Sequence, residues 1–108
     1  MIELLQKDLA TIKDLCERYG VSRLEVFGSA ARGDFDLETS DLDFVIEFFD
    51  YGPGISKRYF GFVRAMEDHF LRKIDTVFGP TMKNPIFQEE VDRSRELLYE
   101  SPGREIAA

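Results

Sequence analysis

Two aspartates one residue apart, Asp41-Leu42-Asp43, open a stretch that reads as a strand. Alternate strand residues point to the same face, so the two carboxylates sit side by side about 7 Å apart. Converging anions repel unless a cation lies between them. A hard divalent ion such as Mg2+ suits the pair, because it takes oxygen ligands and keeps positions for water and substrate phosphates. The same pattern also arises where Ser40-Asp41 caps a turn and Asp43 lies on a solvated face. Two further features weigh against that reading. Gly28-Ser29 follows an apolar run at a point where a backbone without a side chain can approach a phosphate, with a hydroxyl beside amide donors. Asp75 stands between Ile74 and Thr76, inside a predicted strand where aspartate is disfavoured. If that strand lies beside the Asp41-Asp43 strand with matching direction, three carboxylates can surround two metal ions, which stabilise attacking and leaving oxygens in nucleotidyl transfer. A paired structural aspartate is the competing reading of Asp75.

These residues need elements to hold them. Leu5, Leu9, Ile12, Cys16 and Tyr19 recur at helical spacing, and Gly20 follows as a C-terminal stop, so the pattern predicts one helix over 3–19. Residues 22–27 nearly alternate and predict a strand ending at Gly28. The small, turn-rich residues 28–40 predict a loop, with room for a short helical turn at its start, and residues 42–49 a second strand. After the breakers Tyr51-Gly52-Pro53-Gly54, the spacing of Ile55, Tyr59, Phe62, Val63, Met66 and Phe70 predicts a long helix. A third strand is expected over 73–78. Asn84-Pro85, an N-cap followed by a favoured first helical residue, opens a last helix through Phe87, Val91, Ser94 and Leu98. The expected fold class is α+β, a small mixed β-sheet of three to four strands covered by about four helices. Residues 1–100 are expected to form one domain, with 101–108 as a flexible C-terminal tail.

A chain of 108 residues can bury a core without a structural metal or disulfide, so any metal is expected to serve chemistry. Cys16 is the only cysteine, which excludes an intrachain disulfide and a thiolate zinc cluster and fits a reducing, cytoplasmic setting. Residues 1–20 lack the apolar core of a secretory signal, and no apolar run is long enough for a bilayer, so no membrane association is expected. The net charge of −7 repels phosphate backbones and argues against direct nucleic-acid binding. A basic partner suits it better, although such an excess also serves solubility alone. His69 is the only histidine, so no histidine-based site can be proposed. Cys16 reads as a buried small hydrophobe. Tyr59, Phe62 and Phe70 read as core, and Asp92, Arg93, Arg95 and Glu96 as the solvated or docking face of the last helix.

The run Val26 to Asp34, followed by Thr39 to Ile46, resembles the signature of minimal nucleotidyltransferases of the polymerase beta superfamily, a Gly-Ser pair followed after ten residues by Asp-x-Asp. The likeness extends through residues 73–77 and 83–85. It implies a polymerase beta-like nucleotidyltransferase fold. It assigns Gly28 and Ser29 to the triphosphate, Arg32 to neutralising phosphate charge, Asp41 and Asp43 to metal, and Asp75 to metal binding and acceptor activation. The implied cofactor is Mg2+, two ions, with ATP as substrate. One departure stands: eleven residues, Ala30 to Ser40, separate Ser29 from Asp41. A loop absorbs one extra residue without moving strand ends, so the departure bears on residues 34–38.

Little sequence lies outside this core, so the acceptor is expected to arrive with a partner. Members of this size resemble the antitoxin half of HEPN/MNT toxin-antitoxin pairs, in which the minimal nucleotidyltransferase adenylylates a tyrosine of a HEPN ribonuclease toxin and silences it. The resemblance therefore implies a hetero-oligomer with a HEPN toxin. Two competing expectations are a binding protein that neutralises its partner by occlusion, with an idle or only regulatory nucleotide site, and transfer to a small molecule such as an aminoglycoside.

Overall fold

The computed structural model describes residues 3–33, 36, 41–78 and 85–101. In chain order the elements are α1 (Glu3–Gln6), α2 (Leu9–Tyr19), β1 (Val21–Phe27), α3 (Ser29–Arg32), β2 (Leu42–Phe48), α4 (Ile55–Phe70), β3 (Ile74–Phe78), α5 (Pro85–Ser94) and β4 (Glu96–Glu100). The four strands form one mixed sheet in the order β3-β2-β1-β4. β1 is antiparallel to both of its neighbours, and β2 and β3 run parallel. This is the expected α+β class, with five helices among the described residues in place of about four.

Alternation along the strands divides the sheet into two faces. Leu24 and Val26 of β1 and Leu42, Phe44, Ile46 and Phe48 of β2 join Leu5, Ile12, Leu15, Cys16, Phe62, Met66 and Phe70 in one buried cluster, so α1, α2 and α4 cover that side. The stripes read from helical spacing are therefore mostly core, as are Phe62, Phe70 and, at its margin, Tyr59, but Leu9 of the first stripe is exposed. Burial in that cluster pushes the Cys16 thiol up to about 12, so it behaves as an inert hydrophobe. On the opposite face α5 meets β1, and there Val45 and Val91 are buried apart from the main cluster. Arg58, in the first turn of α4, ties that helix to the end of α2 and to the chain just after β2. Its guanidinium donates to the carbonyls of Tyr19 and Gly20, to Phe49 O at 2.9 Å and to Asp50 O.

Two expectations are corrected. The helix predicted over 3–19 is broken at Lys7-Asp8. Asp8 has φ −113° and ψ 20°, and its carboxylate meets His69 Nε2 at 3.3 Å, so a contact with α4 overrides the continuous periodicity. The last helix stops at Ser94, and Leu98 belongs to a fourth strand instead. Helical spacing runs on through Leu98 by coincidence, while pairing with β1 supplies the ladder that an edge strand would otherwise lack. The proposed cap Asn84 and the tail after Ser101 lie outside the described residues.

Arg95, expected on a solvated helix face, sits at the joint between α5 and β4 and turns inward. Among the described residues Glu25 is the one charged side chain that is buried, at 4% exposure in the middle of β1. Arg95 grips it with two bonds, Nη2 to Oε1 at 2.5 Å and Nε to Oε2 at 3.0 Å, and Arg23 adds a third at 3.4 Å. The outer ends of this network reach Asp92 and Glu100. The two guanidiniums hold the Glu25 carboxyl below its usual 4.5 despite the opposing effect of burial. A carboxyl depressed in the folded state stabilises it above the unfolded value and loses that contribution as pH falls through the folded one. Replacing Glu25 by Gln should therefore cost about 2 kcal/mol at pH 7, the scale of hydrogen bonds to charged groups. Urea unfolding should show that deficit at pH 7 and its decline below about pH 4.5.

Candidate active site

The register of the sheet assembles the site. Phe27, the last residue of β1, lies opposite Asp43, and Asp43 lies opposite Asp75 across the parallel pair. The condition set for Asp75, that its strand run beside β2 in the same direction, is met. Neighbouring strands are about 4.8 Å apart, so the two carboxylates are adjacent. Asp41 precedes β2 by one residue and shares the Asp43 face by alternation. Lys73 O accepts the Leu42 amide at 3.3 Å, which ties the beginnings of β2 and β3 together at this end of the sheet.

Gly28 follows Phe27 directly. Its φ of 71° and ψ of −150° suit glycine, and a Cβ placed there would lie 2.8 Å from Asp43 Oδ2. Glycine is thus required both by the turn and by the carboxylate packed against it. The Gly28 carbonyl accepts the amides of Ala31 at 3.1 Å and Arg32 at 3.0 Å, which starts the single turn of α3. The Gly28 amide donates to Ser94 Oγ at 3.0 Å. The amides of Ser29 and Ala30 have no protein partner among the described residues. Ala30 and Ala31 are buried, which anchors α3, whereas Arg32 at its end is exposed.

The electrostatics are those of excess negative charge. Burial pushes Asp43 up to about 6, the charges of Asp75 and Asp41 push the same way, and Arg32 acts in opposition. Asp75, about half exposed on the edge strand β3, has Lys73 Nζ at 3.8 Å from Oδ1, and that solvated pair is worth little. Among the described residues no three candidate metal-binding groups already converge on one point. The donor set is all oxygen, and its acids raise one another's affinity for positive charge, so these residues fit a hard divalent cation such as Mg2+.

The site thus brings Gly28, Asp41, Asp43 and Asp75 together, with Arg32 close enough to act on Asp43 and Ser29 next along the chain from Gly28. Reading of the sequence overlooked Ser94, whose contact with Gly28 spans 66 positions and leaves no local pattern. Arg95 was seen only as a surface charge.

Known proteins with the same pattern bear on what such a site belongs to. The nucleotidyltransferase domain family matches residues 10–102. A proposed protein adenylyltransferase of Methanocaldococcus jannaschii is 28% identical over 97 residues, covering 90% of this chain and 91% of that one. A solved structure of a proposed minimal nucleotidyltransferase superposes with a TM-score of 0.70 at 29% identity, over 88% of this chain and 95% of the other. A chain from the structure of the tri-AMPylated Shewanella oneidensis HEPN toxin in complex with MNT antitoxin shares the fold, with a TM-score of 0.61 at 13% identity over 95% of this chain and 78% of that one. A family match that takes in both the glycine-serine turn and all three aspartates, over most of the sequence, places this chain in the nucleotidyltransferase domain family.

Proposed function

We propose that this nucleotidyltransferase is a Mg2+-dependent protein adenylyltransferase that transfers AMP from ATP to a tyrosine hydroxyl of a HEPN ribonuclease toxin and thereby acts as its antitoxin. The observation that carries the reading is the contact of Gly28 with Asp43 and the register of Asp43 with Asp75. It sets a turn suited to phosphates against an unbalanced cluster of acids. The relative named for protein adenylylation supports a protein acceptor, and the fold shared with chains of toxin-antitoxin complexes supports the kind of partner.

Asp41, Asp43 and Asp75 would hold the metal, which when bound neutralises phosphate charge and polarises the α-phosphate. The remaining work falls to the chain. Ser29, through its hydroxyl and amide, and the Ala30 amide would bind the triphosphate, with Arg32 drawing off charge at the rim. Asp75, on the open edge strand and half exposed, would meet the incoming acceptor. The tyrosine oxygen forms a bond to the α-phosphorus as the bond to pyrophosphate breaks, pyrophosphate leaves, and the hydroxyl proton passes to Asp75. Holding donor and acceptor in line supplies most of the acceleration.

Incubation with ATP labelled at the α-phosphate, Mg2+ and the product of the adjacent gene should label that partner. Absence of transfer would sink the proposal. Changing Asp41 and Asp43 to Asn should lower transfer about a hundredfold or more, the scale of removing a principal electrostatic stabiliser. Should the double variant still neutralise the partner's ribonuclease activity, occlusion replaces catalysis as the antitoxin mechanism. Crowded acids also predict a conflict between stability and function. In EDTA at neutral pH, Asp43→Asn should raise stability by about 1 kcal/mol after allowance for solvent screening, or roughly 4–8 °C in Tm, by relieving like-charge repulsion. Calorimetry of the metal-free proteins checks the sign, and an unchanged or lower Tm would refute the crowding.

A further inference from the structure

Two adjacent residues at the joint between α5 and β4 hold β1 at two places. Arg95 grips Glu25 with its paired bonds, and Ser94 Oγ accepts the Gly28 amide at 3.0 Å. Glu25 and Gly28 are three residues apart, at the middle of β1 and just past its end. The joint is itself held in place, since the Arg95 amide donates to Val91 O at 2.8 Å and Val91 is buried. A rigid brace therefore runs from the interior of the sheet to the turn that carries Ser29.

Gly28 is the position at which such a brace matters. Its backbone faces three ways at once: the carbonyl starts α3, the missing side chain leaves room for Asp43 Oδ2, and the amide is taken by Ser94. With positive φ, glycine also has wide conformational freedom, so its peptide plane rotates unless it is pinned. A rotation there would redirect the Ser29 and Ala30 amides and change the space before Asp43. The Ser94 bond also settles which donors a ligand meets. The Gly28 amide is occupied by protein, which leaves the Ser29 and Ala30 amides and the Ser29 hydroxyl.

Resting on the nucleotide-binding reading above, we propose that Ser94 is a positioning residue for the triphosphate. Its hydroxyl locks the peptide that leads into Gly28, so the donors of Ser29 and Ala30 beyond it are aimed before the nucleotide arrives. Ser94 touches neither nucleotide nor metal. Its loss should act on nucleotide affinity and leave the chemical step largely intact.

The test compares Ser94→Ala and Ser94→Val, which lack the hydroxyl, with Ser94→Thr, which keeps it. Calorimetry with a non-hydrolysable ATP analogue and Mg2+ gives affinity, amide hydrogen exchange at Gly28 reports the bond itself, and labelled transfer separates KM from kcat. The alanine and valine variants should show faster Gly28 exchange, weaker analogue binding and higher KM by about threefold to tenfold, the effect of one hydrogen bond, with kcat within about twofold. Ser94→Thr should restore all three. If either hydroxyl-free variant loses Gly28 protection yet binds the analogue as the wild type does, Ser94 does not position the turn. If those variants bind the analogue more tightly, Ser94 competes with the nucleotide for the Gly28 amide, which also overturns the proposal. A wild-type protein that fails to bind the analogue at all would remove the nucleotide reading and this proposal together, an outcome distinct from a failure confined to the variants.

Discussion

The close approach of Gly28 to the Asp43 carboxylate is the constraint on which the rest depends. A carboxylate oxygen occupies the space a Cβ would need, so the turn after β1 and the first acid of β2 form one object. Strand register follows from this, because Phe27 must lie opposite Asp43 for the next residue to reach it. A slip of one position would carry Asp43 to the apolar face, against Leu24, Val26 and the helices that cover them, where a carboxylate has no partner, and would turn Leu42, Phe44 and Ile46 outward. Burial of those apolar residues therefore fixes the acid's position as firmly as any polar contact does.

Two acids on the same face illustrate opposite solutions to desolvation. Glu25 is almost wholly buried, yet two guanidiniums keep it charged and hold its pKa low. Asp43 lies two register rows away. Burial raises its pKa to about 6, and its acidic neighbours Asp75 and Asp41 push the same way, with Arg32 as a partial counterweight. The first arrangement stabilises the fold and leaves little residual field. The second costs stability and creates a demand for positive charge at one end of the sheet.

Much of this could be read along the chain because short-range patterns carried it. Helical stripes located α2 and α4, alternation located β1, β2 and β3, and the turn residues bounded the segment after Gly28. The row of Asp43 and Asp75 followed once a parallel pairing was assumed, and that pairing is observed. What escaped was long-range. Asp8 breaks the first helix because of His69 on α4, sixty-one residues away. β4 continues the apparent periodicity of α5, and only pairing with β1 distinguishes strand from helix there. Ser94 and Arg95 look like ordinary helix-end residues until the fold brings Gly28 and Glu25 to them.

The position of β4 and its preceding joint along the chain has a consequence for biosynthesis. The glycine turn, α3 and β2 emerge early from the ribosome, but the groups that pin the turn follow some sixty residues later. Such distant pairings form slowly, because the intervening chain must first be ordered. A nascent chain stopped before residue 94 would carry the acids and the turn without the brace. If Ser94 positions the turn as proposed, full affinity for nucleotide is thereby deferred to a late stage of translation, when most of the chain can already fold around the sheet.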